Sequence, residues 1–86
     1  MNKLFFEILE LKNERNHRSA LRIFSILEGN PELFIKQFDM HLYKQFHDGF
    51  YALANFRPAD YKNEKFLIEY SKQFEAISYY LNRMVA

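Results

Sequence analysis

A chain of 86 residues, of which 49% are hydrophobic and 19% aromatic, can build one domain over 1–86 with a single core. Two glycines and two prolines are too few for the turns of a sandwich or barrel, so we expect an all-α fold. The net charge of +1 argues against a dedicated nucleic-acid binder, and the lack of cysteine excludes disulfides and thiol chemistry.

The first 28 residues carry two apolar stripes. One stripe consists of Leu4, Ile8 and Leu11, and the other of Ala20, Ile23, Phe24 and Leu27. At about 100° per residue the two stripes fall on nearly opposite sides of a continuous helix. This favours two helices, A over 2–13 and B over 17–28, separated by a polar stretch. Phe5 and Leu9 fall on the side of the second stripe, so one long helix is the alternative.

The sequence Gly29-Asn30-Pro31-Glu32 is the strongest break in the pattern. Gly29 can end a helix in the left-handed conformation, Asn30 can cap the next helix, and Pro31 suits its first turn. Helix C is then expected over 31–56. Its inner face, spaced by three and four residues, consists of Ile35, Phe38, Leu42, Phe46, Phe50, Leu53 and Phe56.

Helix D is expected over 59–84, because Pro58 disfavours helix in the residue before it and either Pro58 or Asp60 can start a new helix. A strict three-four spacing marks its inner face, which consists of Leu67, Tyr70, Phe74, Ile77, Leu81 and Met84.

Gly49 inside helix C indicates close packing against another helix, with a kink as the alternative. The pattern predicts an antiparallel bundle of two short and two long helices, or of three helices.

Motifs for metal binding and catalysis are weak. Glu14 and His17 form one Glu-x-x-His motif, whereas di-iron bundles use that motif twice. His41 and His47 are six residues apart and fall on different sides of a helix. No serine lies in a Gly-x-Ser-x-Gly elbow, and two glycines are too few for a phosphate loop. We therefore predict a protein that is not an enzyme, with no metal, cofactor or small-molecule substrate.

No apolar run approaches the roughly 18 residues of a membrane span, and Glu7 and Glu10 interrupt the apolar start of the chain. A signal peptide would need a longer uncharged stretch, so we expect a cytoplasmic protein without membrane contact. The many Lys, Asn, Phe, Tyr and Ile residues favour an AT-rich bacterial, phage or plasmid genome.

A basic patch supports an alternative function, that of a small DNA-binding regulator. It consists of Lys12, Arg15, Arg18 and Arg22. Three of these cations share a face if the stretch is helical, and they could contact phosphates. The segment Ser19–Leu42 also resembles a helix-turn-helix. Its reading positions, however, offer a poor surface for base recognition: Glu32, Lys36, Gln37 and Asp39.

Second stripes on helices C and D predict a protein interface. The interface residues are Met40, Tyr43, His47 and Tyr51 on helix C, and Tyr61, Ile68, Tyr79 and Tyr80 on helix D. Helices A and B can cover these stripes only in part, because each spans under about 20 Å and helices C and D nearly 40 Å. Tyrosine and methionine are favoured at interfaces. We therefore predict a small inhibitor, adaptor or assembly subunit that binds a protein partner or itself as an isologous dimer.

Overall fold

The computed structural model describes residues 3–56 and 64–85, with only the backbone described at 84 and 85. Five helices and no strand are found in this part of the chain: α1 Lys3–Leu9, α2 His17–Gly29, α3 Pro31–Gln37, α4 Met40–Ala54 and α5 Glu64–Val85. The all-α prediction is confirmed. The radius of gyration of 12.2 Å is close to the value of about 12 Å for a compact chain of this length.

Two separate helices cover the first part of the chain. Turns occupy residues 10–14, and Arg15 has a φ of 41°, which a continuous helix does not allow. Asn16 then caps α2, since its Oδ1 accepts a hydrogen bond from Ser19 N at 2.8 Å and its N–H donates to Ser19 Oγ at 3.2 Å. The prediction of two helices is confirmed, although α1 is shorter than the predicted 2–13, and the alternative of one long helix is wrong.

The turn between α2 and α3 differs in detail from its prediction. Gly29 ends α2, but no described glycine has a positive φ, so the expected left-handed cap is absent. Asn30 Nδ2 donates to the Ile26 carbonyl oxygen at 2.9 Å, so this side chain caps the end of α2 and not the start of α3. Pro31 and Glu32 lie in the first turn of α3, as predicted.

The prediction of one helix C over 31–56 is wrong, because the chain breaks between α3 and α4 at Phe38 and Asp39. Asp39 has φ 123° and ψ 168°, a backbone region that is nearly exclusive to glycine and costs of order 1–3 kcal/mol. Its carboxylate accepts a hydrogen bond from Leu42 N at 2.8 Å and caps α4. The described residues therefore contain five helices where the sequence predicts four.

α5 buries a continuous inner face, which consists of Phe66, Tyr70, Phe74, Ile77 and Leu81. The predicted first member, Leu67, is only half-buried, and Phe66 takes its place against the ring of Phe56 at 5.3 Å. The predicted start of helix D and the side chain of Met84 lie outside the described residues.

The core lies between α2, α4 and α5, and α1 and α3 close it from the side. Phe34 of α3 is fully buried and packs against Phe5 of α1, with ring centroids 5.6 Å apart. Gly49 brings α4 close to α5, since a Cβ at this position would lie 2.6 Å from Gln73 Cδ. The interpretation of Gly49 as a site of close packing is confirmed.

Candidate protein-binding surface

α2 and α4 together present a row of aromatic rings, here called the aromatic ridge. It consists of Phe24 on α2 and Tyr43, His47 and Tyr51 on α4. The ring of Phe24 lies 4.9 Å from that of His47 and 5.2 Å from that of Tyr51, and the rings of Tyr43 and His47 are 5.8 Å apart. Three residues predicted for one interface therefore lie together. The sequence pattern missed Phe24 as a member, because it placed this ring in a core stripe.

Tyr43 fastens the ridge to the end of α2. Its hydroxyl donates a hydrogen bond to the Leu27 carbonyl oxygen at 2.7 Å. Burial, helped by the negative charge of Glu28, raises the pKa of the Tyr43 hydroxyl, which therefore stays a neutral donor. The side chain that was predicted as a contact residue thus also holds the two helices of the ridge together.

His47 lies at the centre of the ridge, between the rings of Phe24 and Tyr43. Its Nδ1 lies 3.2 Å from Asp48 Oδ1, and its Nε2 lies 4.0 Å from Glu28 Oε1. The imidazole therefore faces a carboxylate on either side. This arrangement gives the middle of the ridge a polar group with two partners.

Tyr51 is the exposed end of the ridge, with 54% of its surface accessible even though its ring packs on Phe24. Met40 lies on the same side of α4, two turns before His47, and is 62% exposed. Leu21 precedes Phe24 by one turn of α2 and is also exposed. α2 thus covers part of the predicted stripe on α4 and leaves Tyr51 and Met40 open.

The second predicted stripe, on α5, is less continuous. Ile68 and Tyr79 are 56% and 58% exposed, but their positions are about 16 Å apart along the helix. Lys72 and Glu75 are exposed between them. The guanidinium of Arg83 lies 5.5 Å from the centroid of the Tyr79 ring. The other predicted tyrosine of this end, Tyr80, is half-buried, and Tyr61 lies outside the described residues.

Tyr80 is turned toward the core. Its ring lies 5.8 Å from that of Phe38 and 6.0 Å from that of Phe46. Beside it, a groove of 230 Å³ runs between α4 and α5. Tyr80 therefore lines this groove, and its ring already packs against Phe38 and Phe46.

The predicted basic patch is divided in two. Arg15 precedes α2, so the stretch is not one helix and Arg15 does not share a helical face with Arg18 and Arg22. Arg22 forms an ion pair with Glu7, with 2.9 Å between Nη2 and Oε2. Glu14 lines the same groove as Arg18 and Arg22. Carboxylates therefore interrupt the positive charge on the α2 side of the patch.

The other two cations, Lys12 and Arg15, lie on a groove of 350 Å³ against α5. Its further lining residues are Ser71, Phe74, Glu75 and Ser78. The helix that would read DNA, α3, has only seven residues and buries Phe34 completely. Neither this groove nor α3 provides an extended basic face of the kind that binds phosphates.

The Glu-x-x-His motif is not a helical pair, because Glu14 lies in the turn before Asn16 caps α2. The His17 imidazole instead forms a hydrogen bond with the Ala54 carbonyl oxygen at the end of α4. Across 3–56 and 64–85, no three His, Asp or Glu side chains are grouped closely enough to hold a metal ion. Within the same ranges, no helix combines the length and apolar character needed to cross a membrane.

Comparisons of this chain with protein-family models, with curated proteins and with solved structures gave no match. In the aromatic ridge, side chains of two helices pack against one another, whereas the contact between Tyr79 and Tyr80, at 5.2 Å, lies within α5.

Proposed function

We propose that this chain is a small non-catalytic interaction module that binds a protein through its aromatic ridge, as an inhibitor, adaptor or assembly subunit. One observation carries the proposal: the ring of Tyr51 is 54% exposed and is held 5.2 Å from the ring of Phe24. A side chain that is already fixed by packing loses little freedom when a partner covers it. Tyrosines of this kind dominate the binding energy of many interfaces.

The surroundings of Tyr51 support the same proposal. Met40 and Leu21 add exposed apolar surface on either helix, and His47 supplies a polar group between them. Tyrosine and methionine are enriched at protein interfaces, which also contain hydrogen-bonding groups. A surface built from two helices also suits a partner helix or a second copy of this chain.

We place the protein in the cytoplasm, without a cofactor, and we expect the helices to run antiparallel around the core. DNA binding by Lys12, Arg15, Arg18 and Arg22 is the alternative. Arg22 is already paired with Glu7, so we favour the ridge. If the alternative held, DNA affinity would fall steeply with added salt and in the double variant Arg18→Glu plus Arg22→Glu.

The test is a quantitative capture from the native host with the tagged full chain and two matched variants. Tyr51→Ala and Tyr79→Ala remove the same side chain from positions of similar exposure, 54% and 58%, on different faces. We expect one protein to be captured by the wild type and Tyr79→Ala and lost with Tyr51→Ala. Loss with Tyr79→Ala alone would overturn the proposal in favour of the α5 face.

A further inference from the structure

The break between α3 and α4 lacks the residues that usually break helices. No glycine or proline occurs between Pro31 and Gly49. The apolar spacing of three and four residues also continues across it, through Ile35, Phe38 and Leu42. The sequence of this segment thus favours one continuous helix, while the fold holds it bent.

The backbone is helical almost up to the break on both sides. Phe38 N donates to the Phe34 carbonyl oxygen at 2.8 Å and Asp39 N to that of Ile35 at 3.1 Å. On the other side, Tyr43 N donates to the Asp39 carbonyl oxygen at 3.0 Å. All three are bonds of a regular α-helix. Only the N–H groups at positions 40, 41 and 42 would need new carbonyl partners to make the helix continuous.

Asp39 makes two opposing contributions to the free energy of the bent chain relative to a straight, continuous helix. Its φ of 123° is strained for any residue other than glycine, which disfavours the bend. Its carboxylate caps α4 through Leu42 N at 2.8 Å, which favours the bend. Straightening would release the strain and replace the single cap by backbone hydrogen bonds.

A straight helix cannot keep α3 in its present place. The buried ring of Phe34 contacts Phe5 and Phe38, and Phe38 contacts Phe46 and Tyr80. Straightening would pull α1, α2 and α3 away from α4 and α5 and expose both halves of the core. A second copy of this chain offers the identical halves, so it can restore every one of these contacts.

We propose that Asp39 is a hinge at which α3 and α4 join into one helix, so that two copies exchange residues 3–38 and form a dimer. The joined helix would run from Pro31 to Ala54, a length of about 36 Å. Each aromatic ridge of the dimer would then combine Phe24 of one copy with Tyr51 of the other. The hinge does not depend on whether the ridge binds a foreign protein, so the capture experiment can fail without affecting it.

The first test is the monomer–dimer equilibrium, measured by analytical ultracentrifugation after refolding the full chain at several concentrations. Asp39→Gly removes the cap together with the strain of the bend, but glycine is tolerated at a helix N-cap and disfavours the interior of a continuous helix. It should therefore lower the association constant about tenfold. Asp39→Ala removes the cap while keeping the strain, so it should raise that constant. Asn82→Ala, at an exposed position of α5, is the control and should change nothing.

The second test distinguishes exchange from side-by-side association. Because the chain has no cysteine, Lys12→Cys and Glu75→Cys can be placed in separate chains. These residues line one groove, from the turn after α1 and from α5. After the two chains are refolded together, a short bismaleimide should link one to the other in the dimer. A wild type that stays monomeric at every concentration, a dimer without this link, or an unchanged association constant in Asp39→Gly would each overturn the hinge.

Discussion

At the scale of single residues, Tyr70 fastens the turn before α2 to α5. Its side chain is fully buried, and its hydroxyl donates to the Leu11 carbonyl oxygen at 2.8 Å. Ser19, which belongs to the cap of α2, lies next to the same hydroxyl. One phenol therefore holds together segments that are far apart in sequence.

We expect Tyr70→Phe to lower the free energy of unfolding by about 1 kcal/mol, because it leaves the Leu11 carbonyl oxygen without this donor. Urea denaturation of the full chain measures the change. Tyr79→Phe is the matched control, since its side chain is 58% exposed, and it should stay within about 0.5 kcal/mol of the wild type. Equal losses in both variants would contradict the role given to Tyr70.

Tyr70 also predicts how stability depends on alkaline pH. Burial raises the pKa of its hydroxyl above the ordinary value of about 10. The unfolded chain therefore loses this proton first, so stability is retained below about pH 10 and falls as the pH rises further. Tyr70→Phe should make that fall less steep, which unfolding curves measured between about pH 8 and pH 11 would detect. An unchanged slope would contradict the expectation.

Gly49 offers a second prediction at this scale. Alanine in the interior of α4 should gain about 1 kcal/mol over glycine, but its Cβ would lie 2.6 Å from Gln73 Cδ. We expect Gly49→Ala to have little effect alone, and to stabilise by about 1 kcal/mol when Gln73→Ala has removed the obstruction. A double-mutant cycle measures this coupling, and strictly additive changes would exclude the close contact.

At the scale of elements, local sequence signals predict the bounds of α2 but not the separation of α3 from α4. The predicted 17–28 agrees with the observed His17–Gly29, because a polar stretch precedes its apolar stripe and Gly29-Asn30-Pro31 follows it. The break at Asp39 escaped prediction because the apolar spacing runs through it without interruption. The spacing predicts Leu67 on the inner face of α5, where the fold buries Phe66, because either of two adjacent apolar residues fits the helical pattern.

The start of α2 gives a prediction for an element. Asn16→Ala removes the side-chain acceptor of Ser19 N, and we expect it to cost about 1 kcal/mol of stability. Asn13→Ala is the control, because Asn13 is exposed in the preceding turn and should change stability by less than about 0.5 kcal/mol. Thermal unfolding followed by circular dichroism compares the two. A loss in Asn13→Ala as large as that in Asn16→Ala would assign the effect to the turn and not to the cap.

At the scale of the whole molecule, the ridge was predictable only where it follows one helix. Tyr43, His47 and Tyr51 share a face of α4, so their spacing revealed them. Phe24 joins them through a tertiary contact, which no local pattern encodes. The spacing predicts Tyr80 as an interface residue, but its ring packs against Phe38 and Phe46, a tertiary contact that the spacing does not encode.

The aromatic ridge is therefore the central claim about the surface of this protein. Its most direct test is the dissociation constant of the captured partner, measured by isothermal titration calorimetry with the wild type, Tyr51→Ala and Tyr79→Ala. We predict that Tyr51→Ala weakens binding by at least about tenfold, while Tyr79→Ala leaves it unchanged. An unchanged dissociation constant in Tyr51→Ala would contradict the claim.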